Sequence, residues 1–183
     1  MPYINREREA PVFEISFKRQ HVLLLTMKKG VILDTDIGYD PDDLFALLLL
    51  LNSPELEIDL IVTGDEVAGK LAAFTQKVLG QCGRGDLRVV QGEDLGSRDF
   101  VVDELVQNFF YSADRNYLEA MKGVLDSSDR VVYIGIQGFT NLANLLKRFP
   151  ESRQKLTVFQ MGGAVDYSRR PGWVEHNVKI DKE

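Results

Sequence analysis

Val31-Ile32-Leu33-Asp34-Thr35-Asp36-Ile37-Gly38-Tyr39-Asp40-Pro41-Asp42-Asp43-Leu44-Phe45-Ala46-Leu47 is the stretch on which the reading of this chain turns. Three apolar residues run directly into acidic ones, the pattern of a buried parallel strand whose carboxyl end carries a polar loop. The apolar run 44–51 that follows reads as a helix, with Asp42 or Asp43 expected to cap it and Asn52-Ser53-Pro54 to stop it. The same alternation recurs downstream. Residues 58–62, 87–90, 131–136 and 156–160 read as strands, and 66–79, 100–110, 116–125 and 141–149 as helices. This order predicts an α/β fold: a mostly parallel, Rossmann-like sheet flanked by helices on both faces. Ligands then belong at the carboxyl ends of the strands.

Composition agrees and narrows the function. The 183 residues carry 22 Lys+Arg against 28 Asp+Glu, a net charge of −6, with 44% hydrophobic residues. These are the proportions of one ordinary globular domain. Residues 1–26 read as a lead-in, its 12–17 segment able to pair as an edge strand, and 27–183 as the domain. A pI near 5.0 and no basic run exclude a nucleic-acid or anionic-membrane surface, both of which need positive charge. The longest apolar run has eight residues, far below the roughly 18 that span a bilayer. One cysteine and two histidines supply neither a disulfide nor a Cys/His zinc set. With no secretory h-region, a cytoplasmic protein acting on small molecules is expected. Cys82, in the 80–85 loop, reads as a small filler. Trp173 reads as a packing anchor, stacking on a nucleobase being the alternative.

The loop places five carboxylates, Asp34, Asp36, Asp40, Asp42 and Asp43, within ten residues. Like charges that close raise one another's pKa values unless a cation neutralises them. Oxygen-only donors point to Ca²⁺ or Mg²⁺, with Gly38 letting the backbone fold around the ion. An EF-hand is excluded, because counting from Asp34 its sixth and twelfth positions are Tyr39 and Phe45. The pattern Asp34-x-Asp36 at a strand end also resembles haloacid-dehalogenase-type phosphatases, where the first aspartate is the nucleophile; that alternative stays open here.

A fuller resemblance is carried by five motifs in order. Asp34-Thr35-Asp36-Ile37-Gly38 followed by Asp42-Asp43-Leu44-Phe45-Ala46-Leu47 is similar to the opening signature of the inosine-uridine-preferring nucleoside hydrolases. Ile61-Val62-Thr63-Gly64-Asp65 resembles that family's second strand and its Gly-Asn end. Gly138-Phe139-Thr140-Asn141-Leu142-Ala143 resembles its Gly-Pro-x-Thr-Asn-Leu-Ala turn. Met161-Gly162-Gly163-Ala164 and Glu175-His176-Asn177 resemble its Met-Gly-Gly and Glu-Phe-Asn elements. The resemblance spans about 28–181.

It implies a nucleoside-hydrolase-like fold and Ca²⁺-dependent hydrolysis of the N-glycosidic bond of ribonucleosides, in which an aspartate takes a proton from the attacking water. Carried over, Asp36 and Asp43 are the metal carboxylates, the Thr140 carbonyl another ligand, and Asp42 the general base, with Asp40 the alternative for that role. Asp34 is a hydrogen-bonding support. Asp65, Met161, Glu175 and Asn177 face the ribose. His176 occupies an aromatic position of its motif and reads as structural. A homo-oligomer is a further expectation from the family.

Four departures qualify the match. Two residues are added before the Asp42-Asp43 pair, Asp65 replaces asparagine, and Gln137-Gly138 replaces Gly-Pro while Arg169-Arg170-Pro171 replaces an asparagine-bearing segment. The largest is that the family continues past the point matching Glu183, where it normally supplies a further calcium carboxylate and a histidine that assists the leaving base. The expectation is therefore a C-terminally truncated form, either a hydrolase or a non-catalytic domain that binds metal and ribose.

Overall fold

The computed structural model describes residues 29–98, 103–106, 114–163, 172 and 174–181. The 1–26 lead-in with its 12–17 segment, most of the 100–110 helix, Arg169-Arg170-Pro171 and Trp173 lie outside the described residues.

Among the described residues, five parallel strands form one sheet in the order β3-β2-β1-β4-β5. They are β1 (Lys29–Thr35), β2 (Leu56–Thr63), β3 (Val89–Gln91), β4 (Val131–Gly135) and β5 (Leu156–Gln160). Between them lie α1 (Asp42–Leu51), α2 (Lys70–Gln81), α3 (Asp103–Val106), α4 (Tyr117–Asp126) and α5 (Thr140–Arg148), and α6 (His176–Ile180) follows β5. β1 is central: Val31 through Thr35 are all buried, which is why the motif reads as an unbroken apolar run rather than an alternating one.

Two apolar layers sandwich the sheet. On one face Leu33 and Ile61 pack with Leu47 of α1 and Ala72, Phe74 and Leu79 of α2. On the other, Ile32, Leu60 and Tyr133 pack with Met121 and Leu125 of α4 and Leu142 and Leu145 of α5. Each fully buried side chain of this size stabilises by about 1.5–3 kcal/mol relative to exposure. The predicted α/β architecture is thus observed, with helices on both faces. Among the described residues no helix is long and apolar enough to cross a membrane.

The predicted boundaries shift where local chemistry intervenes. Neither Asp42 nor Asp43 caps α1. Pro41 holds the N-cap position, its φ of −76° already suited to the helix, and both aspartates fall in the first turn, where carboxylates complement the helix dipole. The helix expected from Glu66 begins only at Lys70, because Asp65, Ala68 and Gly69 have positive φ (46°, 53° and 85°). Glu66 instead turns its buried carboxylate to the helix, accepting from Leu71 N (3.1 Å) and Ala72 N (3.0 Å) and from the Thr63 hydroxyl (2.6 Å). Cys82 fills no gap in the core; it is exposed at the end of α2.

Candidate functional site

β1 is the point where the strand order reverses: β2 and β3 lie to one side of it, β4 and β5 to the other. A crevice opens at such a switch point, beyond the carboxyl ends of the strands. One wall of the cleft there is Asp36, Tyr39, Asp40, Asp42 and Asp43. The opposite wall is Ile136, at the end of β4, with Met161, Glu175, His176 and Asn177. Its volume is about 60 Å³, room for roughly two waters or an ion with part of its hydration, and well under the ~300 Å³ at which ligand pockets begin.

Asp36 and Asp43 form the floor, only 5% and 6% exposed. Burial, then the charge of Asp43, raises the Asp36 carboxyl to about 8. Burial likewise raises Asp43, although the Thr35 hydroxyl donates to its Oδ1 (2.7 Å) and a hydrogen bond from Asp36 favours its ionised form. Both carboxyls are thus pushed upward, Asp36 the further of the two, as burial and adjacent like charge together require. Thr35 is itself fixed by the Ile37 N–H (3.1 Å), and Gly38, at φ 124°, lets the loop turn back over the pair. Asp40 and Asp42 are exposed at the rim.

Asp34 lies beneath the cleft and does not line it. It is fully buried and accepts from the Tyr133 hydroxyl, from Gln137 Nε2 (2.5 Å) and from Asn141 Nδ2 (2.9 Å). Burial raises it to about 6 against these three donors. A carboxylate so enclosed cannot reach a phosphate, so the phosphatase alternative, which needs Asp34 as nucleophile, fails on geometry. Gln137, in place of glycine, works as one of the donors, its side chain occupying the space above Gly64, where a Cβ would stand 1.8 Å from Gln137 Oε1.

On the opposite wall Glu175 caps α6, accepting from Asn177 N (3.0 Å) and Val178 N (3.1 Å), and also from Gly163 N (3.2 Å). Burial opposes its ionisation, but these backbone donors outweigh it and hold the carboxyl below its usual range. Asn177 is buried, with Nδ2 3.5 Å from the Met161 carbonyl, while Met161 is 47% exposed at the mouth.

Two expected members stand elsewhere. Thr140 does not line the cleft. As the first residue of α5 it commits its carbonyl to the helix ladder, and its hydroxyl donates to Asp181 Oδ1 (3.0 Å). Ile136 is the residue of that turn that does reach the cleft. Asp65 is buried outside it: Oδ1 accepts from Leu95 N (3.0 Å) and Ser97 N (3.1 Å), and Oδ2 is enclosed with no hydrogen-bond partner among the described residues. Tyr39, missed in the sequence, ties the acidic loop to this corner through hydroxyl contacts of 3.1 Å to the carbonyls of Asp65 and Ser97. Burial and the Asp65 charge raise its phenol further above the usual range.

The sequence and the fold match a known family. The sequence profile of the inosine-uridine preferring nucleoside hydrolases matches residues 31–183. The chain belongs to that family. It is 29% identical over 174 residues to the pyrimidine-specific ribonucleoside hydrolases RihA of Salmonella newport and Klebsiella pneumoniae. Among solved structures it is similar to the plant nucleoside hydrolase PpNRh1 (TM-score 0.67, 26% identity, 85% of this chain and 55% of that one). It shares the fold of the purine-preferring ribonucleoside hydrolase from Gardnerella vaginalis (TM-score 0.66, 22% identity, 84% and 55%). The chain spans about half the length of these nucleoside hydrolases, with 86% of it covering 55% of the curated relatives.

A family of this kind raises the question of a metal. Among the described residues no three His, Cys, Asp or Glu side chains converge to hold an ion unaided. The buried Asp36–Asp43 pair nevertheless suits a hard cation in donor chemistry: oxygen only, with like charges otherwise neutralised by a retained proton.

Proposed function

We propose that this cleft is the metal-binding and ribose-binding part of a ribonucleoside N-glycosidic hydrolase site, with Ca²⁺ as the cation. The observation that carries the reading is the buried Asp36–Asp43 pair, set at the switch point of a nucleoside hydrolase fold and open to a rim of further oxygen donors.

Asp36 and Asp43 hold the cation in this reading, a retained proton leaving as it binds. Ile136 replaces Thr140 as the backbone contributor, since the only oxygen it offers the cleft is its main-chain carbonyl. When bound, the cation supplies charge that makes water a better nucleophile and orients the sugar hydroxyls. Asp42 is the general base. With the buried pair engaged, it is a rim carboxylate free to take a proton from the attacking water, and its place in the first turn of α1 makes it more rigid than Asp40 in the loop. Asp34 holds the end of β1 in register through its three donors. Glu175 and Asn177 offer the ribose hydroxyls an acceptor and an amide, and Met161 packs against the sugar. Asp65 organises the 94–97 segment and does not touch the sugar.

Release of ribose from inosine and uridine, measured with Ca²⁺ and with EDTA, tests the reading. Ca²⁺-dependent release abolished in Asp42→Asn, with a retained Ca²⁺ shift in melting temperature, supports it. Retained turnover in Asp42→Asn but loss in Asp40→Asn assigns the base to Asp40. A Ca²⁺ shift that ribose increases, without turnover of either nucleoside, leaves a binding domain and overturns the catalytic part.

A further inference from the structure

Ile136 lines the cleft from a turn whose own sequence does little to stiffen it. Ile136-Gln137-Gly138-Phe139 joins β4 to α5, and Gly138 stands where the family's turn has proline, so the ring that would fix φ there is missing. What holds the turn is Gln137, which is 1% exposed and bonded through both its side chain and its main chain. Its Nε2 donates to Asp34 Oδ1 (2.5 Å), and its main-chain carbonyl accepts from Gln160 Nε2 (2.7 Å). On the other side of the peptide that links the two residues, Ile136 N donates to the Asp34 carbonyl (2.9 Å). A peptide unit is planar, so anchoring the residues on both sides of it leaves the Ile136 carbonyl little freedom to swing. Both glutamine amides lie against glycines of neighbouring strand ends: a Cβ would stand 1.8 Å from Gln137 Oε1 at Gly64 and 2.0 Å from Gln160 Oε1 at Gly135. Gln137 Oε1 is nevertheless enclosed with no hydrogen-bond partner among the described residues. An acceptor buried unpaired costs stability, so the amide is poorly explained as a stabilising group and well explained as a placing one.

We propose that Gln137 is a positioning residue: anchored by Asp34 and Gln160, it fixes the Ile136 carbonyl as a donor to the cation held by Asp36 and Asp43. The proposal rests on the cation reading of the cleft and adds what sets its backbone donor in place. Gln137-Gly138 in place of Gly-Pro then becomes one compensated change, the rigidity lost with the proline ring returning as two hydrogen bonds on the residue before it. A side chain that merely filled the space over Gly64 would serve as well without its amide, and that difference is measurable.

The test is titration calorimetry with Ca²⁺ on the 183-residue chain and its variants, alongside thermal melts in EDTA. Gln137→Met keeps the bulk over Gly64 and removes the bond to Asp34. It should lose about tenfold or more in Ca²⁺ affinity, the size usual for groups that orient a metal's ligands. Gln160→Met removes the other anchor and should weaken Ca²⁺ in the same direction by a smaller factor. Leu125→Ala, buried in α4 beside Asp126, which lines a cavity with Lys29 and Gly30 at the start of β1, is the control. It should lower the melting temperature yet keep the affinity within about twofold of the parent. An affinity within that same margin in Gln137→Met overturns the proposal. So does a loss that Leu125→Ala reproduces, because that is a loss of stability and not of placement. If Gln137→Met gives no cooperative melt, the same criteria pass to Gln160→Met. A parent chain that binds no Ca²⁺ overturns the cation reading and this proposal with it, whereas a binding parent with an indifferent Gln137→Met overturns this proposal alone.

Discussion

Asp36→Asn should make the metal-free protein more stable near neutral pH, an unusual sign for a substitution in a buried site. The Asp36 carboxyl has an ordinary value of 3.8, and burial together with the charge of Asp43 raises it in the fold to about 8. The unfolded chain therefore gives up this proton near pH 4 while the folded chain keeps it until about pH 8. Across that window the folded state binds more protons, so stability is greatest at the acid end and falls as pH rises. Each pH unit costs about 1.4 kcal/mol per proton, so from pH 5 to pH 7 Asp36 alone removes roughly 3 kcal/mol. In a protein of this size that is a fall of about 6–12 °C in melting temperature. Asparagine keeps the shape and loses the titration, so the gap between Asp36→Asn and the parent protein in EDTA should open steadily over these two units. A divalent cation inverts the effect, because it takes the ionised pair: the Ca²⁺-induced rise should grow with pH in the parent and nearly vanish in Asp36→Asn. Thermal melts of both proteins at pH 5, 6, 7 and 8, with EDTA or Ca²⁺, measure this. An Asp36→Asn protein that melts below the parent at pH 8 in EDTA, or keeps the full Ca²⁺ shift, refutes the electrostatic account of the cleft.

Leu47→Ala, at a fully buried position of α1, should cost about 3 kcal/mol in urea titrations, with an unchanged m-value. Glu66→Ala strands two N–H groups of α2 and leaves the Thr63 hydroxyl only its longer contact to the Val90 carbonyl (3.3 Å); a loss of about 2–3 kcal/mol is expected by the same measurement, and Glu66→Gln should lose less. Gly64→Ala drives a methyl into the Gln137 side chain and should cost about 1–3 kcal/mol, while the double variant Gly64→Ala/Gln137→Ala should lose less than the sum of the two single changes; strict additivity would show that the contact is not what limits position 64.

The inner strands were legible because they are buried on both faces and so appear as apolar runs punctuated by polar loops; residues 156–160 read as a strand although β5 is largely exposed among the described residues. What misled were places where a side chain acts on distant backbone. Glu66 looks like an ordinary helix residue, and only the left-handed turn through Asp65, Ala68 and Gly69 shows that it caps the helix from outside. Thr140 and Ile136 stand four residues apart in one turn, and sequence order cannot say which of them faces the cleft; the start of α5 decides it. Asp65 illustrates the same limit. Its match to the family's Gly-Asn position suggested a ribose contact, but the partners of its carboxylate come from residues 95 and 97, which local pattern cannot reveal. The acidic loop itself was readable, because five carboxylates within ten residues carry an electrostatic cost visible in the letters alone; the choice of Asp36 and Asp43 among them came from the family resemblance.

The two walls of the cleft differ in what holds them, and that difference bears on how the site would work. The acidic wall hangs from β1, the most buried strand, with Asp34 anchored to β4 and α5 and Asp43 to Thr35. The opposite wall rests on β5, the edge strand among the described residues, and on α6, five residues capped at one end by Glu175 and tied at the other through Asp181 to Phe139 and Thr140 of the α5 turn. Elements with few buried apolar contacts open at lower free energy than core strands. In the proposed reading the wall that would hold the cation is therefore preorganised, whereas the wall carrying Glu175 and Asn177 rests on elements that open more easily. Cation binding should then survive changes at the exposed positions of β5, while ribose binding should weaken with them. A Phe159→Asp protein that keeps its Ca²⁺ shift but loses the added ribose shift would express that division directly.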